Sequence, residues 1–536
     1  MKPWIEKLEK APWHTLLVFA SFLIILFLIQ FPAFCFPFHR DAIKAVAGAA
    51  EEILANGFDP IPRTPGLDVG HPPVLTMTLA VAWGIFGESL FVSHLVQIGF
   101  ACLAACYTYL LGRHLYSAKI GMLAALFLLL SPIFEAQTTN IYFDMPLAAF
   151  CIMSVYYAIR NRAWPYVVFA TLASFTKIYG GIICLPILVY VLARIPKPRR
   201  PLIVLKQSVI YGVPLILLMI WVSYHRMVQG WAFIRPHVVE QFSGSLLSIW
   251  SCFNVFRTVF FLSMGQSRWI LTAGMLTAVV TFIKRKRQGQ GIRCVGTKPL
   301  SLSSFLFRAK ETFRLIGAEN LLILLVITVW VAYVAPYFIG RYLLPILPLF
   351  ILIGARSLQL VLKSRVVLVS TLIVFFSWVS WIGIEPLEPL ADMAVRIPKV
   401  SSLMAARGFD TNFRVMDIVL GKAGNAESDS ELWDVLYVHQ AAARHIETNY
   451  ADLTILTDFP QNSELTVPVA GYVTNSLNVV QPWNVQSCSD FDLVYWAVPS
   501  SWRGEALSIL REQCSLELVA RFQSRDAFAE IYQVTR

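Results

Sequence analysis

Charged residues are scarce in this sequence: Asp, Glu, Lys and Arg make up only 14% of its 536 residues, whereas 57% are hydrophobic. A soluble protein of this length needs a more highly charged surface, and apolar runs of about twenty residues recur over the first three quarters of the chain. The composition therefore predicts a polytopic α-helical membrane protein. The formal net charge of +11 does not indicate nucleic acid, because Lys and Arg in membrane proteins concentrate in cytoplasmic loops.

Several common catalytic and metal-binding patterns are also absent from the sequence. The nine cysteines include no CxxC pair and no metal-ligand spacing. No glycine-rich nucleotide loop, hydrolase serine motif or zinc motif occurs. The sequence has no Asn-x-Ser/Thr acceptor site, which weakly disfavours a protein of the eukaryotic lumen. None of these motifs therefore offers a catalytic site as an alternative to the isolated charged side chains described below.

Hydropathy and charge together predict how the chain crosses the membrane. Residues 13–34 form a retained first span, and three lysines precede it, so the N-terminus should be cytoplasmic. Residues 36–73 then lie outside, and the apolar segment 72–87 is expected in the outer interface because a full span needs about twenty residues. Residues 245–262 are predicted to form a second interfacial helix. Further spans are predicted at 90–112, 118–134, 144–160, 164–176, 178–194, 203–224, 266–283, 319–338, 342–360 and 366–384. The total is about eleven spans. The span 164–176 is short, so the pair of helices that it forms with 178–194 is expected to be broken or tilted.

The composition changes after residue 384, where long apolar runs end. We therefore divide the chain into a membrane domain, 1–384, and an extracytoplasmic domain, 385–536. Alternating patterns predict a small α/β domain there, with helices at 438–450 and 504–513 and strands at 453–457, 478–480, 491–498, 516–522 and 529–534. Cys488 and Cys514 could form a disulfide in an oxidising compartment, and two buried free thiols are the alternative.

Two acidic residues stand at the predicted outer membrane surface. Asp41 follows the first span within His39-Arg40-Asp41, and Asp144 immediately precedes an apolar span. A carboxylate at the rim of the bilayer can act as a general base on a hydroxyl or amine. The alternative for Asp41 is a helix cap, and for Asp144 it is an acid that the helix dipole stabilises. Acids in two separate loops could also hold a divalent cation, although no tight carboxylate pair requires one.

Cationic candidates lie at the same predicted surface. Lys177 and Arg341 each interrupt an apolar run, and a lipid phosphate is the anion that such cations would bind. The alternative is that both side chains reach the outer headgroups without a specific ligand. His71 and Arg40 are further candidates for substrate binding, and a structural role is the alternative for His71. Together these residues suggest transfer of a group carried on a lipid phosphate, with an acid as base and the cations stabilising the departing phosphate.

A series of short motifs extends this interpretation across residues 13 to about 384. They are the first-loop Asp41, Gly70-His-Pro-Pro before an apolar stretch ending in Phe86-Gly87, Tyr109-Leu-Leu-Gly-Arg-His-Leu-Tyr, Leu130-Ser-Pro, Tyr142-Phe-Asp-Met-Pro, Phe175-Thr-Lys and Gly340-Arg-Tyr-Leu-Leu-Pro. In their order and spacing they resemble membrane glycosyltransferases of the GT-C class. The most similar groups are the bacterial protein O-mannosyltransferase-like enzymes and the lipid A aminoarabinose transferases.

The resemblance implies an extracytoplasmic site, a polyprenyl-phosphate-linked sugar donor and an inverting transfer. It matches Asp41 to the family's first-loop catalytic acid and Asp144 to its second outer acid. It also matches Lys177 and Arg341 to a lysine and an arginine of family motifs. Two departures stand out: the family often has Asp-Glu where this chain has Asp41-Ala42, and the aminoarabinose transferases tend to have Lys at the position of His71. The second departure argues against aminoarabinose as the sugar.

The sequence thus favours a multi-pass glycosyltransferase of a cell inner membrane. Its expected partners are a polyprenyl-phosphate sugar, the lipid bilayer and a lipid, glycan or protein acceptor. The alternative is a protein that binds the carrier lipid without cleaving it, either a lipid-linked-sugar flippase or a non-catalytic assembly partner. The enzyme is favoured because a transporter has no need for a base such as Asp41 at one surface only.

Overall fold

A computed structural model describes residues 12–195, 201–232, 249–266, 268–287, 317–334, 339–361, 431–498, 510–525 and 527–535. Most of these residues are helical, and a five-stranded sheet lies in the C-terminal part of the chain. The first part contains helices α1 (Pro12–Gln30), α2 (Ala49–Ala55), α3 (Val74–Phe86), α4 (Leu90–Leu115), α5 (Ala118–Leu129), α6 (Pro132–Thr139) and α7 (Asp144–Ile159). It continues with α8 (Ala163–Thr176), α9 (Cys184–Ala193), α10 (Pro201–Gln229), α11 (Ile249–Met264), α12 (Trp269–Arg287), α13 (Ala318–Val334) and α14 (Leu347–Val361).

Within the described ranges, three helical stretches are long and apolar enough to cross a membrane: Thr15–Cys35, Leu90–Leu115 and Pro201–Gln229. Helices α5 and α6 would add a fourth crossing if they count as one span bent by 62°. The other apolar helices have 10–17 residues. Helix α10 leaves large apolar side chains exposed, including Leu202 and Met227, as expected of a surface that faces lipid.

The helices correspond closely to the predicted segments. Helix α3 forms where the interfacial segment 72–87 was predicted, and α11 overlaps the predicted helix 245–262. The prediction of one continuous span over 118–134 is wrong, because the chain bends before Pro132 and continues as α6. Proline starts a new helix readily but cannot donate a backbone hydrogen bond to the preceding turn. The predicted span 366–384 lies outside the described residues.

The expected break after residue 176 is confirmed. Helix α8 ends at Thr176, a 3₁₀ segment covers Ile178–Ile183, and α9 follows. Small residues permit close packing elsewhere in this domain: a Cβ atom on Gly112 of α4 would lie 2.6 Å from the Cα atom of Gly121 in α5. Such contacts between small residues are a common way for apolar helices to associate in membranes.

The C-terminal domain contains helix α15 (Glu431–Tyr450), helix α16 (Gln461–Thr466) and five strands. These are β1 (Ile455–Leu456), β2 (Val479–Val480), β3 (Leu493–Val498), β4 (Leu516–Ser524) and β5 (Ala527–Val534). Their order is β2-β1-β3-β5-β4, in which β1 pairs in parallel with β2 and β3, whereas β5 pairs antiparallel with β3 and β4.

All five predicted strands are present, which confirms the expected α/β domain. The predicted helix at 438–450 is also present and begins earlier, at Glu431, whereas α16 was not predicted. Most of the predicted helix 504–513 lies outside the described residues. Cys488 and Cys514 form a disulfide with a Cα–Cα distance of 5.8 Å, so the oxidised alternative is the one observed.

Candidate active site

The loop after α1 presents Asp41 at the start of a helical stretch. Arg40 has a φ of 46°, a backbone conformation that costs a residue other than glycine about 1–3 kcal/mol and that tends to occur at functional sites. After this turn the chain becomes helical at Asp41 and passes through a π-helix, Ile43–Gly48, into α2. The side chain of Asp41 is 51% exposed, so a substrate can reach its carboxylate.

Asp144 lies at the N-terminus of α7, where unpaired backbone N–H groups favour an acidic side chain. Its side chain is completely buried, and the Nζ atom of Lys177 donates a hydrogen bond to its Oδ1 atom at 2.7 Å. Lys177 occupies the extended junction between α8 and the 3₁₀ segment that follows. The break between the two helices therefore brings a lysine to a buried carboxylate, which needs a positively charged partner.

Arg341 connects the two acids. It lies in a short 3₁₀ segment, Gly340–Leu343, just before α14. Its Nε atom is 3.3 Å from Oδ2 of Asp144, and its Nη2 atom is 3.5 Å from Oδ2 of Asp41. The arginine side chain is 8% exposed, so its charge is largely shielded from water. Four of the predicted site residues, from four separate regions of the sequence, thus form one cluster.

His71 borders the same cluster. His71 comes directly after a turn in which the N–H of Gly70 donates a hydrogen bond to the Asp68 carboxylate at 2.8 Å. The φ of Gly70 is 80°, a conformation that glycine adopts readily. Burial lowers the pKa of His71 well below 6.5, and the charges of Lys177 and Arg341 lower it further. The imidazole is therefore neutral at pH 7 and offers a hydrogen bond, not a third positive charge.

Arg40, the remaining predicted binding residue, faces the C-terminal domain. Its guanidinium carbon lies 5.9 Å from the centre of the Phe459 ring, in the loop after β1. It is close enough to Arg341 for the two charges to repel each other, and Asp41 partly offsets that repulsion. The structure thus places Arg40 between the cluster and the C-terminal domain.

Two comparisons relate this chain to known proteins. Residues 70–225, which include His71, Asp144 and Lys177, match the family described as dolichyl-phosphate-mannose-protein mannosyltransferase. The fold matches the crystal structure of ArnT from Cupriavidus metallidurans bound to undecaprenyl phosphate, with a TM-score of 0.56 and 14% sequence identity, over 96% of this chain and 97% of that one. The chain therefore shares the fold of ArnT, and part of it is similar to the mannosyltransferase family.

A second ArnT structure from the same organism, in the apo state, matches this chain with a TM-score of 0.54 and 13% identity. The match covers 96% of this chain and 97% of the ArnT chain. No curated protein sequence matches the chain. The resemblance inferred from the motifs is confirmed by the family match over residues 70–225 and by the fold.

Three tyrosines around the two cations of the cluster were not predicted as site residues. The Lys177 Nζ atom lies 5.0, 5.3 and 4.7 Å from the ring centres of Tyr142, Tyr179 and Tyr342. The guanidinium of Arg341 lies 4.8 Å from the Tyr142 ring. Aromatic faces attract cations, so the rings hold the two positive charges in a water-poor setting. Their only mark in the sequence is proximity, since each tyrosine lies within two residues of a charged site residue.

A second buried pair, Asp68 and His225, was also missed. The Nε2 atom of His225 lies 2.8 Å from Oδ2 of Asp68, and the pair joins the loop between α2 and α3 to the end of α10. The two residues line a small cavity together with His71 and Phe143. Among the described residues, no group of three or more His, Cys, Asp and Glu side chains is arranged to hold a metal ion.

Proposed function

We propose that the chain transfers a hexosyl or pentosyl group from a polyprenyl phosphate to an extracytoplasmic acceptor, with inversion at the anomeric carbon. The observation that carries this proposal is the position of Arg341, which contacts the half-exposed Asp41 on one side and the buried Asp144 on the other. A buried cation next to an accessible carboxylate provides a place for the leaving phosphate beside a base for the acceptor.

In the proposed step, an acceptor hydroxyl or amine attacks the anomeric carbon while the bond from that carbon to the phosphate oxygen breaks. The electron pair of the broken bond leaves with the polyprenyl phosphate, and the acceptor proton passes to Asp41. Inversion requires that acceptor and phosphate lie on opposite faces of the sugar. Asp41 suits the base role because its exposed carboxylate can reach a hydroxyl that comes from outside.

Lys177 and Arg341 bind the donor phosphate in this proposal. Both are buried, so their interaction with a phosphate would be stronger than at a water-exposed surface. Charge-assisted hydrogen bonds from these donors would stabilise the negative charge that builds up as the phosphate departs. His71 would add a neutral hydrogen bond, and Arg40 would extend the positive surface toward the C-terminal domain.

Asp144 fits a supporting role in the same site. Its carboxylate is fully buried and already lies against two cations, so it is not placed to touch the acceptor. We propose that it keeps Lys177 and Arg341 together and partly neutralises them in the absence of donor. Without it, two buried positive charges would repel each other at a cost of several kcal/mol.

We further propose an inner-membrane location with about eleven spans, a cytoplasmic N-terminus and an extracytoplasmic C-terminal domain. The basic loops between predicted spans support this orientation, and the disulfide between Cys488 and Cys514 is typical of an oxidising compartment. The proposed division into 1–384 and 385–536 falls in a stretch outside the described residues. The C-terminal domain would then border the site on the acceptor side.

The test is a release assay with the purified full chain in lipid nanodiscs. A panel of undecaprenyl-phosphate monosaccharides that begins with mannose is supplied with lipid, glycan or protein fractions of a bacterial envelope as acceptors. We expect one donor to yield free undecaprenyl phosphate together with an acceptor heavier by the mass of one sugar. A chain that binds these lipids but releases no undecaprenyl phosphate with any acceptor would instead be a flippase or an assembly partner.

A further inference from the structure

Gln97 is a completely buried amide in α4, one of the long apolar helices. Its Nε2 atom donates hydrogen bonds to three backbone carbonyls: those of Gln137 and Asn140, both at 2.8 Å, and that of Tyr142 at 3.3 Å. An amide nitrogen carries two hydrogens, so the three carbonyls share them, and only this end of the amide can face three acceptors. Gln97 therefore joins α4 to the end of α6 and to the α6–α7 link, residues 140–143.

The carbonyls in this region need donors from outside the two helices. The carbonyl of Gln137 lies in the last turn of α6, and carbonyls of a last turn have no partner within their own helix. The carbonyl of Tyr142 would pair in a continuous helix with the N–H of residue 146, but that residue is Pro146 and has no N–H. A buried carbonyl without a donor is costly, and the Gln97 amide removes that cost.

The α6–α7 link carries part of the charged cluster. The ring centre of Tyr142 lies 5.0 Å from the Lys177 Nζ atom and 4.8 Å from the guanidinium carbon of Arg341. Asp144, two residues further along, lies 2.7 Å from Lys177 and 3.3 Å from Arg341. A shift of the link would therefore change the position of an aromatic ring and a carboxylate relative to both cations.

An amide at position 97 has a cost that an apolar residue would avoid. Polar groups inside membrane helices are disfavoured unless they form hydrogen bonds. Within the described part of the chain the Oε1 atom of Gln97 has no hydrogen-bond partner, so the position uses only the N–H groups of the amide. A methionine would fill a similar volume without this cost, but it would give none of the three carbonyls a donor. The three hydrogen bonds are thus the physical reason for an amide here.

We propose that Gln97 is a positioning residue for the donor-phosphate site, which acts through the α6–α7 link to hold Tyr142 and Asp144 in place. The effect on donor binding rests on the proposed function, whereas the hydrogen bonds that fix the link do not. Asp41, the proposed base, lies on a different segment, the loop after α1. Loss of the Gln97 amide should therefore weaken binding of the donor more than it slows the transfer step.

The test compares Gln97→Met with a matched control, Thr108→Val, in the full chain in lipid nanodiscs. Methionine has about the length of glutamine but cannot donate a hydrogen bond. Thr108 is also completely buried in α4, but its hydroxyl donates to the carbonyl of Ala104 in the same helix at 2.7 Å. The control thus loses a buried hydrogen bond of α4 without releasing the link. Hydrogen–deuterium exchange of residues 137–148 reports on the link, and binding of undecaprenyl phosphate reports on the phosphate site.

We expect Gln97→Met to speed exchange in residues 137–148 about tenfold, because local opening becomes easier when the link loses its donor. The dissociation constant for undecaprenyl phosphate should rise about 3- to 10-fold, the change that corresponds to one lost hydrogen bond. Thr108→Val should leave both quantities at their wild-type values. In the release assay, Gln97→Met should raise KM for the donor lipid by a similar factor, while kcat stays within about threefold of wild type.

A double variant tests whether Gln97 acts through the cation site. Gln97→Met/Arg341→Ala should lose less affinity than the product of the two single losses, because the site that Gln97 supports is already impaired. A loss equal to that product would show that the two residues act independently and would overturn the inference. Wild-type exchange in Gln97→Met, or faster exchange with wild-type lipid affinity, would also overturn it.

Failure of the proposed function gives a different pattern. A wild-type chain that binds undecaprenyl phosphate but never releases it from a donor would contradict the enzyme, while the affinities of Gln97→Met and Thr108→Val would still decide the inference. A wild-type chain with no affinity for undecaprenyl phosphate would overturn both. If Gln97→Met does not fold, Gln97→Asn takes its place: it keeps the amide but is one methylene too short to reach all three carbonyls, and the same outcomes decide.

Discussion

The Nζ atom of Lys177 lies 2.7 Å from Oδ1 of Asp144, and both side chains are almost completely buried. Each charge offsets the cost of burying the other, and removal of Lys177 would leave the buried Asp144 with Arg341 alone, at 3.3 Å. The pair also joins the N-terminus of α7 to the break after α8. Both the stability of the protein and its binding of the donor lipid should therefore depend on this ion pair. Single and double variants of the pair can separate the two effects.

Lys177→Met should destabilise the protein by about 1–3 kcal/mol, because Asp144 loses the closer of its two cations and keeps only Arg341, at 3.3 Å. The double variant Lys177→Met/Asp144→Leu should recover part of that stability, since it replaces the Lys177–Asp144 pair by apolar groups of similar size while Arg341 keeps Asp41 as a partner at 3.5 Å. It should still fail to bind undecaprenyl phosphate. Thermal unfolding and lipid binding in nanodiscs measure the two effects. Equal stability of the single and double variants would contradict the buried-pair argument, and wild-type binding by the double variant would contradict the phosphate role.

Arg341→Ala should weaken the binding of undecaprenyl phosphate about 10- to 100-fold, the loss expected for one or two charge-assisted hydrogen bonds. Arg356→Ala is the matched control, because Arg356 bonds to Gln359 on the same helix and packs over Tyr116. It should bind the lipid like the wild type. Direct binding to protein in nanodiscs measures both variants. An unchanged dissociation constant for Arg341→Ala would remove this residue from the phosphate site.

The charged core of the site could be predicted from the sequence because a charge within an apolar run is conspicuous. Lys177 and Arg341 stand out in this way, and Asp144 stands at the edge of a span. The tyrosines around them do not stand out, since aromatic residues make up 13% of the whole chain. Only the fold shows that Tyr142, next to one acid, approaches both cations.

Two buried pairs outside the cluster were beyond prediction: Asp68 with His225, and Glu464 with His439, whose Nδ1 atom lies 2.8 Å from the Glu464 carboxylate. Asp68 and His225 are 157 residues apart, and nothing in either local sequence indicates the other. Glu464 and His439 lie in a domain where charged residues are ordinary, so their complete burial has no local signature. The strands of that domain were predictable because each is a short apolar run between turn residues.

Asp41→Asn should lower kcat of sugar transfer about 10²- to 10⁴-fold, the usual contribution of a general base. The amide keeps the size of the side chain but cannot accept the acceptor's proton. Asp59→Asn is the control: Asp59 lies in the same region between α1 and α3 and forms an exposed ion pair with Arg63. The release assay gives kcat, and binding of undecaprenyl phosphate should stay near wild type in both variants. Full transfer by Asp41→Asn would exclude Asp41 as the base.

Gly180→Ala should disturb the segment that carries Lys177. A Cβ atom at Gly180 would lie 2.2 Å from the carbonyl oxygen of Ala173, so the 3₁₀ segment must shift, at about 1–3 kcal/mol for overpacking. Gly212→Ala in α10 is the control, because its Cβ would meet open space and should stabilise the helix by about 1 kcal/mol. The unfolding temperature and the affinity for undecaprenyl phosphate should fall only for Gly180→Ala. Wild-type values for both would show that the junction tolerates the shift.

The His439–Glu464 pair should make the C-terminal domain less stable as the pH rises. Burial acts to lower the pKa of His439, but the Glu464 carboxylate and its hydrogen bond outweigh burial, so the pKa lies above 6.5. A raised histidine pKa contributes stability that is complete below about 6.5 and is lost as the pH rises through the folded-state pKa. Of the other groups that face this pair, His39 stays neutral because burial lowers its pKa well below 6.5, and Arg40 and Tyr495 do not titrate in this range.

Hydrogen–deuterium exchange of residues 431–466 checks this pH dependence. It is measured from about pH 5.5 to about pH 8.5, the range in which histidine titrates, and is corrected for intrinsic exchange rates. Protection should fall toward the upper end in the wild type, and His439→Gln should remove most of that slope. The control is His445→Gln, on the same helix but partly exposed beside Phe522, which should keep the wild-type slope. The two ring nitrogens of His439 face the Glu464 carboxylate and the Val498 carbonyl, as in a protonated imidazole. If His439→Gln kept the wild-type slope as well, the pH dependence would arise elsewhere and His439 would not be protonated.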